Sequence, residues 1–128
     1  MATDGPIECS LITPEEKVLE VRASSVVIPA HDGQIGVLKG RAPLLCELGI
    51  GVLTVDSEAY YVDGGFAQVL DNRVTILTER AAPAGRIDRT DAAKALSEAE
   101  QLSGTDARSL DARRKAIARA KVRLKLAR

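Results

Sequence analysis

Aromatic residues are almost missing from this chain of 128 residues, which has two tyrosines, one phenylalanine and no tryptophan. A hydrophobic core must therefore be built from Val, Leu, Ile and Ala. Nucleic-acid binding is disfavoured, because single strands bind by stacking their bases on aromatic rings. Binding of an amphipathic helix to a membrane is disfavoured too, because the helices lack Trp and Phe anchors.

The groups that most often carry chemistry are also scarce. The one histidine, His31, stands beside Asp32 in a predicted turn and has no evident catalytic partner. Cys9 and Cys46 are far apart in the sequence and form no close Cys or His pair of the kind that binds a metal. We interpret both cysteines as reduced, buried thiols. The sequence also lacks a Gly-rich phosphate loop, so it predicts no catalytic site, no metal and no bound cofactor.

Long hydrophobic runs are missing as well. No stretch approaches the roughly 20 apolar residues that cross a bilayer. Residues 1–6 are polar and are not followed by the apolar segment of a secretory signal. We expect a soluble chain that reaches a membrane only peripherally.

What the chain does contain changes abruptly near residue 85. All five prolines and nine of the ten glycines precede residue 86. Residues 1–87 carry twelve acids and seven bases, a net charge of −5, whereas residues 88–128 carry six acids and eleven bases, a net charge of +5. The sequence therefore predicts a turn-rich acidic domain over residues 1–86 and a basic helical domain over residues 87–128.

The first domain has short apolar runs about every ten residues, which favours an antiparallel β-sandwich or barrel. Asp56-Ser57-Glu58 and Asp71-Asn72-Arg73 predict hairpin turns. Gly64-Gly65 predicts a bulge or a close approach of two backbones. The predicted strands are Ile7–Ile12, Val18–Val21, Val26–Ile28, Ile35–Leu38, Val52–Val55, Tyr60–Val62, Phe66–Leu70 and Val74–Leu77.

The second domain predicts two helices that pack as an antiparallel hairpin. Asp88 or Thr90 caps the first helix, Gly104 stops it, and Asp106 caps the second. The apolar seam is rich in Ala and buries little area, so we expect the hairpin to dock on another surface and to be able to leave it. The expected seam of the second helix is Leu110, Ile117, Ala120, Leu124 and Ala127.

Three segments of the first domain match the motifs of one known protein family. Residues 27–44 read VIPAHDGQIGVLKGRAPL, similar to the family signature of Pro, a Gly-Glu-Leu-Gly-like element and Pro-Gly-His-Ala-Pro-Leu. Residues 61–69 read YVDGGFAQV, similar to the family's Gly-Gly-Phe strand, and residues 72–77 continue it as NRVTIL. These segments resemble the ATP synthase epsilon subunit family, and the resemblance extends over nearly the whole chain, including the order of strands and then helices.

The resemblance implies a ten-stranded sandwich at the foot of the central stalk of a rotary F-type ATP synthase. The sandwich would bind the gamma subunit and the ring of c subunits, and the chain would have no catalytic site. The hairpin would fold down on the sandwich or rise along gamma to meet the beta and alpha subunits and restrain ATP hydrolysis. The expected place is the cytoplasmic face of a bacterial inner membrane, with membrane contact only through the complex.

The resemblance also implies site residues, with departures from the family pattern. The loop that would touch the c ring spans Asp32–Arg41, where Gln34 replaces the usual Glu, Arg41 the usual His and Lys39 the usual Pro. An equally good interpretation is that the glycines of this loop only shape its turns and do not contact the ring. The c-ring contacts would be Asp32, Gln34, Lys39 and Arg41, and the inhibitory bases would be Arg113, Arg114, Lys115, Arg119, Lys121 and Arg123.

Some family members bind ATP on the folded hairpin, and this chain keeps only part of their motif. Asp91 and Glu98 stand where the motif has Arg, and an acid beside a phosphate is unfavourable. We therefore expect weak or no ATP binding, although an ATP-sensing hairpin remains the main alternative function and a nucleic-acid-binding basic tail a lesser one. The motif residues that match are Ile87, Asp88, Ala92, Arg119 and Arg123.

Overall fold

The computed structural model describes residues 5–127, which form ten strands, a short 3-10 helix (Ala84–Arg86) and two α-helices. Residues 1–4 of the predicted sandwich domain and Arg128 of the predicted basic helix lie outside the described residues. The strands are β1 (Ile7–Ile12), β2 (Lys17–Ala23), β3 (Val26–Ala30), β4 (Gly33–Val37), β5 (Leu44–Glu47), β6 (Ile50–Val55), β7 (Glu58–Asp63), β8 (Phe66–Leu70), β9 (Arg73–Leu77) and β10 (Ala81–Pro83).

The strands form two five-stranded sheets that enclose one core. The first sheet has the order β2-β1-β9-β8-β5, and the second has the order β10-β7-β6-β3-β4. Residues alternate between the core and the outer face, as a strand requires. In β1, Ile7, Cys9 and Leu11 are fully buried, whereas Glu8 and Ser10 point outward. The predicted β-sandwich is confirmed.

One pair of strands differs in direction from the others. β1 and β9 run parallel, with Glu8 opposite Arg73 and Ile12 opposite Leu77. These two strands are far apart in the chain, so no hairpin turn fixes their relative direction. The sandwich is antiparallel except for this pair.

The sequence patterns miss two of the ten strands. β5 is an edge strand of four residues that follows Pro43, and the side chain of Leu45 on this strand points away from the core. β10 has three residues and ends at Pro83, which an edge strand tolerates. Both strands are too short to show an alternating pattern, although the total of ten agrees with the number that the resemblance implies.

Left-handed residues make the tight turns of the sandwich. Asp71 and Asn72 have φ angles of 50° and 60° and join β8 to β9 as a two-residue turn. Asp56, with φ of 52°, begins the turn between β6 and β7. Both predicted turns are present, but Arg73 and Glu58 already belong to the strands that follow.

Capping side chains define the starts of both helices, α1 (Arg89–Glu100) and α2 (Ala107–Leu126). The Asp88 carboxylate accepts a hydrogen bond from the backbone N–H of Asp91 at 2.9 Å. The Asp106 carboxylate accepts one from the N–H of Ser109 at 2.7 Å. The prediction that Gly104 stops the first helix is wrong, because α1 already ends at Glu100. The N–H groups of Gln101 and Leu102 bond to carbonyls three residues back, which tightens the chain and ends the α-helix.

The hairpin is folded down on the outer face of the second sheet. Helix α2 packs on α1 and on strands β6 and β7. Of the expected seam, Ala120 and Ala127 are buried, but Leu110 is exposed, so that part of the prediction is wrong because Leu110 lies near the free tip of the hairpin. The docked cluster consists of Tyr61, Ile87 and Ala127 with Ile50, Ala82, Val122 and Leu126 around it.

Candidate functional site

The segment predicted to touch the c ring is not one continuous loop. Asp32 lies in the turn between β3 and β4, and Gln34 is the second residue of β4. Lys39 and Arg41 follow the other end of the strand, and five residues of strand span about 16 Å. All four side chains are exposed. The structure therefore divides these residues between two separate corners, and the contact with a c ring stays a prediction.

The corner after β4 is held in a defined shape. The N–H of Arg41 donates to the carbonyl of Leu38 at 3.1 Å, and the N–H of Gly40 donates to the Asn72 side-chain oxygen at 2.8 Å. Gly40 has a φ of 82°, which favours glycine at this position. The exposed Leu38 and the two bases around it thus form a fixed apolar and basic corner.

The six bases of α2 predicted to act as a brake do not form one face. Arg114 and Lys115 point to solvent and both pair with Asp111, at 3.1 and 3.2 Å. Arg113 instead donates from Nη2 to the Glu100 carbonyl at the end of α1, at 3.2 Å. In the part of the chain that the structure describes, Lys121 and Arg123 form no ion pair.

The sixth base, Arg119, reaches the sandwich. Its Nε donates to Oδ2 of Asp63 at 2.7 Å, and the hydroxyl of Tyr61 donates to the same oxygen at 3.3 Å. Asp63 ends β7, and its side chain is 8% exposed, compared with 35% for Arg119. The carboxylate is thus removed from most solvent contact and neutralised by a base from the hairpin.

The backbone around Asp63 keeps the carboxylate in this position. The N–H of Asp63 donates to both Oγ1 of Thr78 and the carbonyl of Arg80, each at 3.1 Å. The Thr78 hydroxyl donates in turn to the Arg80 carbonyl at 3.3 Å. These bonds join the end of β7 to the segment that leads into β10, so Asp63 has little freedom to move away.

The hydroxyl of Tyr61 remains protonated beside this ion pair. The pKa of Tyr61 is raised to about 12, first by burial and then by the negative charge and hydrogen bond of Asp63, while Arg119 and Arg123 act in the opposite direction. Tyr61 therefore serves as a hydrogen-bond donor to the carboxylate at neutral pH.

Sequence reasoning placed Asp63 in the Gly-Gly-Phe motif and assigned it no role. A usable signal exists, because Tyr61 and Asp63 are two residues apart and share one face of a strand. Tyr60 and Val62 point into the core, so Tyr61 and Asp63 must face outward. Their burial indicates that something covers this outer face, namely α2.

The residues that match the ATP motif are only partly brought together. Ile87 belongs to the docked cluster and the Asp88 carboxylate caps α1, while Ala92 is fully buried. Only Arg119 and Arg123 of the five line a groove of about 300 Å³ between the helices and the sandwich. The groove is lined by Arg80, Ala95, Glu98, Ala99, Leu102, Ala116, Arg119, Ala120 and Arg123.

The outer face of the first sheet carries exposed large apolar side chains. Phe66 and Leu77 stand opposite each other on β8 and β9, and Leu77 is also opposite Ile12 on β1. Leu45 and Leu70 lie on the same outer face, on β5 and β8. We call Ile12, Leu45, Phe66, Leu70 and Leu77 the apolar face. The hairpin lies on the other sheet, so it does not cover this face.

The chemistry-bearing groups remain apart. His31 lies exposed in the β3–β4 turn, and Cys9 and Cys46 are both free thiols. Cys9 is buried as predicted, but the prediction is wrong for Cys46, which is only partly buried because β5 is an edge strand. Among residues 5–127 no group of three His, Cys, Asp or Glu side chains could hold a metal ion. No helix in this range is long and apolar enough to cross a membrane.

Comparison with known proteins gives consistent matches. Residues 6–84 match the model of the ATP synthase delta/epsilon chain, beta-sandwich domain. The chain is 40% identical to the ATP synthase epsilon chain of Rhodopirellula baltica, covering 95% of this chain and 98% of that one. It is 38% identical to the epsilon chain of Desulfitobacterium hafniense (strain DSM 10664 / DCB-2), covering 97% and 98%.

A solved structure agrees in fold. A chain of the Euglena gracilis mitochondrial ATP synthase, described as OSCP/F1/c-ring in rotational state 1, superimposes with a TM-score of 0.80. The two chains are 28% identical, and the match covers 94% of this chain and 81% of that one. The chain belongs to the ATP synthase epsilon chain family, a family of central-stalk subunits that are not catalytic.

Proposed function

We propose that this chain links the rotor of a rotary ATP synthase through its sandwich and restrains ATP hydrolysis through its hairpin. The observation that carries the proposal is the division of the sandwich into two outer faces. One outer face carries exposed apolar side chains that the hairpin does not cover, and the other is covered by the basic hairpin. A permanent interface and a reversible one can therefore coexist on the same domain.

The apolar face fits the gamma subunit. Contiguous exposed apolar side chains on a soluble domain mark an interface with another protein. The edge of the face is polar, because Glu8 bridges Arg22 at 3.3 Å and Arg73 at 2.9 Å beside it. An apolar centre with a charged rim is the usual arrangement of a stable protein interface.

The polar corners of the sandwich fit the c ring. Asp32 and Gln34 lie at one end of β4, and the basic corner with Lys39 and Arg41 lies at the other. The two corners are about 16 Å apart, so a ring surface could meet either corner or both. All four residues, Asp32, Gln34, Lys39 and Arg41, therefore stay the proposed c-ring contacts.

The hairpin fits a reversible brake. Helix α2 is held to the sandwich by a single apolar cluster, to which it brings Val122 and Leu126, and by one ion pair. A released α2 would present Arg119 and Arg123 beside the bases that already point to solvent. Such a helix would bind acidic surfaces of the beta and alpha subunits, and its two positions would form an equilibrium that each partner shifts.

The complex would place this chain at the cytoplasmic face of a bacterial inner membrane. Two bacterial epsilon chains match nearly the whole chain, which supports that setting. Through the ring and the gamma subunit, the chain would couple ion flow to ATP synthesis.

The first test is the ATPase rate of the partner F1 complex depleted of this subunit. Full-length chain and residues 1–87 are added back in separate titrations. We expect full-length chain to lower the rate and residues 1–87 to bind without lowering it. Equal effects of the two chains would remove the brake from the proposal and leave the role in joining the rotor.

The second test concerns the apolar face. Leu77→Glu places a charge in its centre, and Leu102→Glu is the matched control, because the two leucines are 51% and 49% exposed. We expect Leu77→Glu to weaken binding to gamma by at least about tenfold, since a buried unpaired charge is costly at an interface. Equal binding of both variants would contradict the assignment of this face to gamma.

A further inference from the structure

We propose that Asp63 is an internal competitor for Arg119, so that the Asp63–Arg119 ion pair holds the hairpin down and sets how readily α2 leaves the sandwich. In the docked form Asp63 is the partner of Arg119, and in the released form an acidic partner surface would take its place. This inference rests on the proposed brake only for its consequence in the complex, because the ion pair itself can be tested in the free chain.

The ion pair is the one charged link between the two parts of the described chain. Every other ion pair within residues 5–127 lies inside the sandwich or inside the hairpin. The bond from Arg119 to Asp63 is also the one side-chain hydrogen bond in this range that joins the hairpin to the sandwich. Docking thus depends on this contact and on the small docked cluster.

Removal of Arg119 and removal of Asp63 should affect the docked hairpin to different degrees, because the two side chains differ in exposure. The Asp63 side chain is 8% exposed, so the loss of Arg119 would leave a buried carboxylate with Tyr61 as its remaining side-chain donor. Departure of α2 would expose this unpaired carboxylate to water, so the loss of Arg119 favours release. Arg119 is 35% exposed and can be hydrated in place, so the loss of Asp63 would favour release less strongly.

Release exchanges the partners of both groups. Asp63 would be hydrated on the uncovered outer face of the second sheet, together with Tyr61. Arg119 would be free to pair with an acidic protein surface. A partner can hold α2 only if its interaction with the released helix outweighs the interaction lost with Asp63. The strength of the ion pair therefore sets how strongly the partner must bind before ATP hydrolysis is restrained.

The test is amide hydrogen exchange of the free full-length chain. The variants are Asp63→Asn, Arg119→Gln and the double variant, with Asp71→Asn and Arg108→Gln as matched controls in exposed positions. We expect α2 amides to exchange about tenfold faster in Asp63→Asn and faster still in Arg119→Gln, with unchanged protection in β1 and β9. The double variant should exchange no faster than Arg119→Gln, because the carboxylate that drives release is gone.

The same variants separate this inference from the proposed brake. Asp63→Asn should inhibit the depleted F1 complex at a concentration several-fold lower than the unmodified chain. Faster exchange without a change in inhibition supports the ion-pair device and contradicts the brake. Unchanged α2 exchange in both single variants, or additive effects in the double variant, overturns the inference whatever the ATPase rate shows.

Discussion

A Cβ atom built on Gly65 would lie 1.9 Å from the carbonyl oxygen of Leu77. Gly65 also has a φ of 100°, and its own carbonyl accepts a hydrogen bond from the N–H of Leu48 at 2.8 Å. We expect Gly65→Ala to lower the free energy of unfolding by at least about 3 kcal/mol, because the clash is with backbone and the φ angle is strained for Ala. Chemical denaturation of the full-length chain measures this change.

Gly85→Ala is the matched control for this substitution. Gly85 is exposed, has an ordinary φ angle and has no atom within 4 Å of the added Cβ. Its replacement should change the free energy of unfolding by less than about 1 kcal/mol. A small effect at Gly65 as well would show that the backbones of β8 and β9 can separate locally without cost.

The cap of α2 predicts a dependence on pH. The Asp106 carboxylate accepts a hydrogen bond from the Ser109 N–H, which lowers the pKa of Asp106 below its ordinary value of 3.8. A lowered pKa in the folded state means that the stabilising effect is complete well above pH 3.8 and is lost as pH falls through the lowered pKa. We therefore expect the start of α2 to fray in acid, as measured by amide exchange of residues 107–110.

Asp106→Asn separates the cap from its charge. Asparagine caps helices about as well as aspartate, but it does not titrate. The variant should keep α2 at neutral pH and lose the part of the acid sensitivity that comes from this site. Identical acid profiles in both chains would indicate that other carboxylates cause the fraying.

The two cysteines should differ in reactivity toward a thiolate-specific alkylating reagent. Burial raises the pKa of the Cys9 thiol to about 12, and Cys9 is fully buried on the core side of β1. The pKa of Cys46 is raised by burial and by the charge of Asp32, but Cys46 is only partly buried. At pH 8 we expect Cys46 to react at least about tenfold faster than Cys9, as measured by mass spectrometry of the intact folded chain.

Asp32→Asn tests the electrostatic part of this prediction. Removal of the negative charge should lower the pKa of Cys46 and speed its alkylation, while the rate at Cys9 stays the same. Asp71→Asn, which makes the same change in a different exposed turn, should leave both rates unchanged. Fast alkylation of Cys9 in the native chain would contradict its place in a closed core.

The sandwich could be predicted because its signals are local. The apolar runs, the turn at Asp71-Asn72 and the caps at Asp88 and Asp106 each depend on neighbours in the sequence, and the structure has all of them. β5 and β10 could not be predicted from pattern, because three or four residues are too few to show alternation. The parallel pairing of β1 and β9 is a property of the whole sheet and has no local signal.

The site was less accessible to sequence reasoning, because it depends on contacts between distant residues. The net charge of α2 was evident, but the sequence did not show that Arg119 turns inward to Asp63 while Arg114 turns outward to Asp111. Position 63 is 56 residues away from position 119. The resemblance supplied the family, whereas the partner of each base required the docked arrangement of the hairpin.

The groove between the helices and the sandwich leads to the last prediction, which concerns ATP. Arg80, Arg119 and Arg123 line it, but Glu98 lines it too, and Arg119 is already paired with Asp63. A carboxylate beside a triphosphate is repelled, and a base engaged elsewhere must first be released. We expect the free full-length chain to bind magnesium ATP more weakly than a Kd of about 1 mM in isothermal titration calorimetry.

A variant that should gain ATP binding tests whether Glu98 is what keeps ATP out of the groove. Glu98→Arg removes the acid and adds a base within the groove, so it should raise the affinity for ATP by at least about tenfold. Glu100→Arg makes the same change of charge on an exposed residue of α1 that does not line the groove, and it should have little effect. Equal gains in both variants would show a nonspecific effect of net charge. Micromolar binding by the unmodified chain would contradict the prediction, because the acid in the groove would then not exclude the phosphates.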